Sequence, residues 1–230
     1  MNFELFGAAH LNYIYIMALS WALIPFVARK YLNKVGHRNL AIVLAVLILG
    51  VEIVDDFYRL LDPKMGWSIS RDLPLHMCGL SVFGTSWALI KKDQLTFELC
   101  YFWGLGGALQ AILTPDSTNI LDHFYLFTFM VSHGLIILNI SFLIFVEGMV
   151  LRKWALLRAI VITELILVII YIINIILDSN YFYLINKPDA PNPFIFGEWP
   201  FYIFYMQISA IFILGVINLP MLIYRRRLER

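Results

Sequence analysis

The chain has 230 residues, 61% of them hydrophobic and only 14% charged, with a mean hydropathy of +0.79. That excludes a soluble domain of ordinary composition and makes it an integral membrane protein. A net charge of +1, with no basic aromatic stripe and no zinc-finger spacing, gives no support to a nucleic-acid partner. Two cysteines, Cys78 and Cys100, lie in apolar surroundings and argue against a structural disulfide.

The N-terminal stretch MNFELFGAAHLNYIYIM lacks the basic region and cleavage site of a signal peptide, so its hydrophobic segment is expected to be retained. It opens a series of seven apolar stretches, 11–32, 40–60, 73–90, 95–114, 122–147, 155–178 and 201–224. Each is long enough, or nearly so, to cross a hydrocarbon core that takes about 20 helical residues. The fold class predicted is all-α: a polytopic bundle of seven transmembrane helices forming a single domain over residues 1–230, without an internal repeat. Connections are short except the sixth, DSNYFYLINKPDAPNPFIFGEWP, whose prolines and aromatics predict an ordered cap.

Basic residues favour the cytoplasmic side of short loops. After the first, third, fifth and seventh stretches come Arg29, Lys30, Lys34, Arg38; Lys91, Lys92; Arg152, Lys153, Arg158; and Arg225, Arg226, Arg227, Arg230, whereas the other side has Arg59, Lys64, Arg71 and Lys187. The N-terminus is therefore expected outside and the C-terminus in the cytoplasm of a cell membrane, a bacterial plasma membrane by the character of the chain. Trp67, Trp154 and Trp199 fall near predicted interfaces.

Polar side chains inside the stretches cost free energy in lipid unless they face the bundle or water. Glu52, Asp55, Asp56 and Arg59 recur at i, i+3, i+4 and i+7 on one face of the second helix. Asp72 and Pro74 suit the first turn of the third, as N-cap and donor-free residue. His76 and Cys78 follow, about 200° apart around that helix. Gln110 comes late in the fourth, His133 near the middle of the fifth, Asn174 and Gln207 toward the outer ends of the sixth and seventh, and Glu98, Cys100 and Glu164 toward the inner side. Each has a plain structural alternative. The acidic stripe also reads as an ion-pair ladder, either cysteine as a small hydrophobe, His133 as a hydrogen-bonded packing residue, and Gly104 with Ala108 as close helix packing.

The blocks LPLHMCGLS, YFWGLGGALQAILTPD, FTFMVSHGLIIL, NYFYLINKP and GEWPFY, in that order over about residues 73–202, resemble the signature blocks of the YwaF-like integral membrane family. Its eukaryotic relatives include transmembrane protein 164, regarded as a cysteine-dependent phospholipid acyltransferase, and its architecture is similar to that of the androgen-induced membrane hydrolases. The resemblance implies Cys78 as nucleophile and His133 as its base, with membrane phospholipid as the substrate partner and no cofactor.

A lipid acyltransferase or acyl hydrolase working through a thioester is thus the expected function. His76, Glu52, Asp56, Arg71, Gln110, Asn174 and Asn180 are the expected substrate-binding or supporting residues. Two alternatives stand beside it. His10, His76, His123 and His133 with Glu52 and Asp55 contain enough ligand types for a metal-dependent lipid hydrolase, although no histidine pair has i, i+4 spacing. A noncatalytic lipid-binding or transport protein would leave Cys78 dispensable.

Overall fold

The computed structural model describes residues 3–62, 66–115, 122–188 and 195–228. Lys64 and Arg230 of the basic-residue count lie outside them, as do residues 189–194 of the expected cap. The described residues form helices and no strands: α1 (Ala8–Tyr31), α2 (Lys34–Leu61), α3 (Met77–Lys91), α4 (Gln94–Trp103), a π-helical turn (Gly104–Ala108), α5 (Leu109–Leu113), α6 (His123–Phe145), α7 (Ala155–Leu177), a 3-10 turn (Tyr181–Tyr183) and α8 (Phe201–Leu228). The backbone stays right-handed helical through Gly104, Ala108 and Leu109, so α4, the π turn and α5 share one axis. Helical segments therefore fall where the apolar stretches were predicted. Of these, α1, α6, α7 and α8 are long and apolar enough to cross a membrane.

Local chemistry sets the boundaries. Asn33, Asp93 and Asp122 cap α2, α4 and α6 by accepting from the N–H groups of Gly36, Thr96 and Tyr125 at 2.8–2.9 Å. The third helix starts later than predicted, at Met77 with His76 as its N-cap. Asp72 is engaged elsewhere, as described below, and Pro74 folds back so closely that a Cβ on Gly79 would stand 2.8 Å from its Cα. Only glycine fits there.

α6 is the centre. It buries residues on every side, including Tyr125, Met130, His133, Ile136, Asn139 and Phe142, and α1, α2, α3 and the π turn pack around it. α7 and α8 lie at the edge, with outward residues such as Leu165, Ile176 and Phe212 at 62%, 73% and 72% exposure. Side chains this apolar belong against lipid, not water.

The GLGG sequence lets three helices approach the π turn. A Cβ on Gly104 would stand 2.4 Å from Ile140 and 2.8 Å from Ile136 of α6, one on Gly106 would meet Leu214 of α8 at 3.1 Å, and one on Gly107 would meet Met77 of α3 at 3.3 Å. Ile136 and Ile140 are locked in the core at 0% and 1% exposure. Gly104→Ala is therefore expected to cost about 1–3 kcal/mol by overpacking. At Gly215 a Cβ meets nothing within 4 Å, and Gly215→Ala gains about 0.5–1 kcal/mol of helix propensity. Thermal unfolding in detergent checks the opposite signs; a Gly104→Ala melt at or above the wild-type value refutes the packing argument.

Candidate active site

The inward face of α2 changes character along its length. Ala41, Leu44, Ala45 and Ile48 are buried, and the same i+3/i+4 progression continues through Glu52, Asp55 and Arg59. The acidic stripe is thus the buried apolar face carried on with polar residues, and it faces α6 and the connection to α3. Asp55 accepts from Arg59 Nε at 2.8 Å and from Thr128 Oγ1 at 2.5 Å. Arg59 also reaches Asp72 at 2.8 Å and lies 4.8 Å from the Tyr125 ring centroid. Trp67 Nε1 donates to Asp56 at 3.2 Å.

Asp72 is the anchor of the α2–α3 connection. Its side chain is 1% exposed between Arg59 and Arg71, and it accepts from the Ser68 N–H at 2.8 Å. Burial acts to raise its carboxyl, but the hydrogen bonds from Arg71 and Ser68 and the two arginine charges outweigh that and hold it below the usual carboxylate value. Arg71 is therefore tied to Asp72, and its contact with the acidic stripe runs through Asp72 and Arg59.

Cys78 occupies the first turn of α3 and is half-buried. Its Sγ is 3.8 Å from the Cβ position of Gly107, so the π turn forms one wall. π turns recur at functional sites. Glu52, on the α2 face that packs on α3, is the charged group that acts on the thiol through space. Two turns further along α3, Thr85 Oγ1 accepts from Asn139 Nδ2 of α6 at 3.3 Å, and the π turn meets both helices, with Gly107 facing Met77 and Cys78 and Gly104 facing Ile136 and Ile140.

His133 is 9% exposed. Its Nδ1 lies 2.7 Å from the Phe129 carbonyl, and since a carbonyl only accepts, Nδ1 carries the proton and the neutral ring keeps its lone pair on Nε2. The ring packs on Phe129 at 4.2 Å between centroids, with Asp55 as electrostatic neighbour. No direct hydrogen bond joins Cys78 to His133. Catalytic contacts commonly tighten only in the working complex.

His76 has the opposite tautomer. Its Nδ1 accepts from the Phe182 N–H at 3.3 Å, which leaves the proton on Nε2. As an N-cap with extended backbone (φ −73°, ψ 158°) it escapes the helical rotation used to place it from sequence. Its ring instead faces Tyr181, Phe182 and Tyr183, with centroids 5.3–6.4 Å away.

Those aromatics belong to the cap, which is ordered in its described part. Asn174 accepts from Tyr181 N–H and donates to its carbonyl at 2.8 and 2.9 Å. Asn180 accepts from Ile185 and Asn186 N–H at 3.0 Å and donates to the Asn186 carbonyl. Tyr181 Oη accepts from Leu73 N–H and donates to the Ile69 carbonyl, fastening the cap to the α2–α3 connection. Asn174 and Asn180 therefore hold the cap together. Gln110 is exposed.

Sequence reasoning missed Tyr181, which had no signal beyond its place in the aromatic cap. Cys100 is a packing residue: fully buried, its Sγ sits 2.4 Å from where a Gly84 Cβ would stand. Among the described residues no three His, Cys, Asp or Glu side chains are grouped to hold a metal ion. His10 is bonded instead to Phe6 N–H and the Ile112 carbonyl at 3.0 and 2.7 Å, so the metal-hydrolase alternative has no ligand set there.

Residues 5–218 match the model of the TMEM164 family. An uncharacterized protein of Treponema pallidum (strain Nichols) is 31% identical over 139 residues, 58% of this chain and 54% of that protein. The chain thus spans about half the length of the curated relative it matches. No solved structure matches.

Proposed function

This chain belongs to the TMEM164 family, and on that premise we propose that it is a membrane-embedded phospholipid acyltransferase or acyl hydrolase with Cys78 as nucleophile and His133 as base. The observation that carries the reading is the π turn on which both helices pack: Gly107 faces Cys78 of α3 and Gly104 faces Ile136 and Ile140 of α6, the helix on which His133 has its Nδ1 held by the Phe129 carbonyl and its Nε2 lone pair left over. Cys78 Sγ attacks an ester carbonyl of the lipid as its proton passes to His133 Nε2; the carbon–oxygen bond breaks and the imidazolium gives that proton to the departing lysolipid oxygen. The thioester is then discharged by a lysolipid hydroxyl or water, whose proton His133 takes and passes to Sγ as the carbon–sulfur bond breaks. The Phe129 carbonyl orients the imidazole, as the third member of such sites does. His76 supplies its Nε2–H to a substrate oxygen, from a ring fixed by the cap.

The test is chemical. Protein incubated with phospholipid vesicles bearing labelled acyl chains is expected to gain one acyl mass on the peptide containing Cys78, removable by hydroxylamine. Label exchange without a Cys78 adduct, or an adduct confined to Cys100, overturns the reading.

The same proposal has all seven helical segments crossing, with Cys78 toward the extracytoplasmic face, on the distribution of thirteen basic residues against four. Reporters fused after Arg230 and within the 179–199 connection are expected on opposite sides. Finding both on one side refutes it.

A further inference from the structure

His76 is oriented by a piece of backbone that the fold holds in an unfavourable shape. Phe182 and Tyr183 take left-handed conformations, with φ of 56° and 55°, which a residue bearing a Cβ rarely adopts. Three elements grip the turn and keep it there. From α7, Asn174 accepts from the Tyr181 N–H at 2.8 Å and donates to the Tyr181 carbonyl at 2.9 Å, and Ser179 Oγ donates to the same side-chain oxygen at 2.8 Å. From the α2–α3 connection, the Leu73 N–H and the Ile69 carbonyl hold Tyr181 Oη at 3.0 and 2.7 Å. From the first turn of α8, Tyr202 Oη donates to the Tyr183 carbonyl at 2.7 Å. Asn174, Tyr181 and Tyr202 are each 1% exposed, so water does not compete for these bonds.

The outcome is one bond. With Tyr181 held at both backbone groups and Tyr183 at its carbonyl, the Phe182 N–H between them meets His76 Nδ1 at 3.3 Å. Among the described residues that is the only hydrogen bond of the imidazole, and the rings of residues 181–183 pack around it at 5.3–6.4 Å. A cap with only packing to do could carry glycine at 182 and 183 without strain. Strain that is over-determined from three sides, and that ends on a ring two residues from the nucleophile, is the pattern of a site support. We propose that Phe182 is a positioning residue acting through His76: its N–H holds Nδ1 as acceptor, so that Nε2–H is presented in one orientation to the ester carbonyl oxygen as charge develops there. This deepens, and rests on, the reading of Cys78 as nucleophile. The cap contributes no reacting atom. A donor already aimed stabilises the oxyanion without reorganising, whereas a ring able to turn has to be ordered in every turnover.

A double-mutant cycle tests it. Asn174→Leu releases the turn from α7 and Tyr181→Phe releases it from the α2–α3 connection; each is made alone and together with His76→Ala. The rate of thioester formation on Cys78 is read in single turnovers with vesicles of phosphatidylethanolamine and phosphatidylglycerol bearing labelled acyl chains. His76→Ala is expected to slow acylation by about 100-fold, the range for losing one oxyanion donor. Either cap variant alone slows it by roughly tenfold, with the half-saturating lipid concentration changed less than about twofold. Added to His76→Ala, the same cap change leaves the rate within about twofold, because the residue it acts through is gone. Nitrogen-15 spectra of histidine-labelled protein supply a second readout: in the cap variants the His76 Nδ1 signal loses the shift of a hydrogen-bonded acceptor while the His133 signals stay in place. Tyr181→Phe removes a single oxygen and keeps the cycle decisive where Asn174→Leu does not fold. Equal losses in both backgrounds, or an unchanged acylation rate in the folded cap variants, overturn the proposal. A wild type that gains no acyl mass on Cys78 removes the nucleophile and this role with it, an outcome distinct from additive losses on an acylated Cys78.

Discussion

Cys78→Ala is expected to abolish acyl exchange and hydrolysis, a loss of at least about 10³-fold, because no other group on the first turn of α3 can carry the acyl chain. The residue is half-buried and the change removes a single atom, so the variant is expected to fold and insert. His133→Ala loses the base, and a loss of about 10²–10⁴-fold follows. It also removes the ring packed on Phe129 and the bond to the Phe129 carbonyl, so its melt must be measured alongside its rate. Cys100→Ala separates chemistry from packing. Its sulfur is 0% exposed and fills the space facing Gly84, so the variant is expected to lose about 1 kcal/mol of stability while keeping its catalytic rate. Full activity in purified Cys78→Ala removes the covalent mechanism.

Periodicity placed the helices well because a membrane helix must satisfy its backbone internally and carry an apolar exterior, both of which are written in composition. It failed at the start of α3. Asp72 and Pro74 have the chemistry of a helix start, but the pull of Arg59 and Arg71 on Asp72 is a tertiary effect that a local pattern cannot contain. The α2 stripe was legible as one face; that this face continues the buried Ala41–Ile48 row was legible too, from the same spacing. Cys78 meets the π turn only through the close approach at Gly107, and a sequence separation of 29 residues hides that meeting. Asn174 was read as a site residue because a polar side chain in an apolar segment attracts a functional reading, and Asn180 because it belongs to the cap over that segment. Their amides satisfy the backbone of the cap, which carries its own polar groups into the same apolar surroundings.

Glu98→Ala is expected to produce the largest stability loss outside the site. The carboxylate is 0% exposed near the start of α4. It accepts from the Arg152 N–H at 3.0 Å, from Arg152 Nε and Nη2 at 2.8 and 3.1 Å, and from Arg158 Nε and Nη2 at 3.0 and 2.9 Å. Gln94 joins it to the Val150 carbonyl, so one side chain ties α4, the connection after α6 and the first turn of α7 together. Breaking a fully buried ion pair costs about 3–5 kcal/mol. Here the Arg152 and Arg158 side chains are 51% and 34% exposed and can turn back to water, which lowers the expected loss to about 2–3 kcal/mol. For a chain of this size that is a drop in Tm of roughly 5–10 °C. Lys92→Ala, which breaks the pair between a 53% exposed lysine and Glu147, is expected to change stability by no more than about 1 kcal/mol. Glu98 lies nine residues from Gly107, about 13 Å along the helix axis, so its loss leaves the rate at low temperature unchanged and shortens the range over which activity survives. A Glu98→Ala melt coincident with wild type, or an equal loss of rate at all temperatures, contradicts a purely structural clamp and places this end of the bundle in the chemistry.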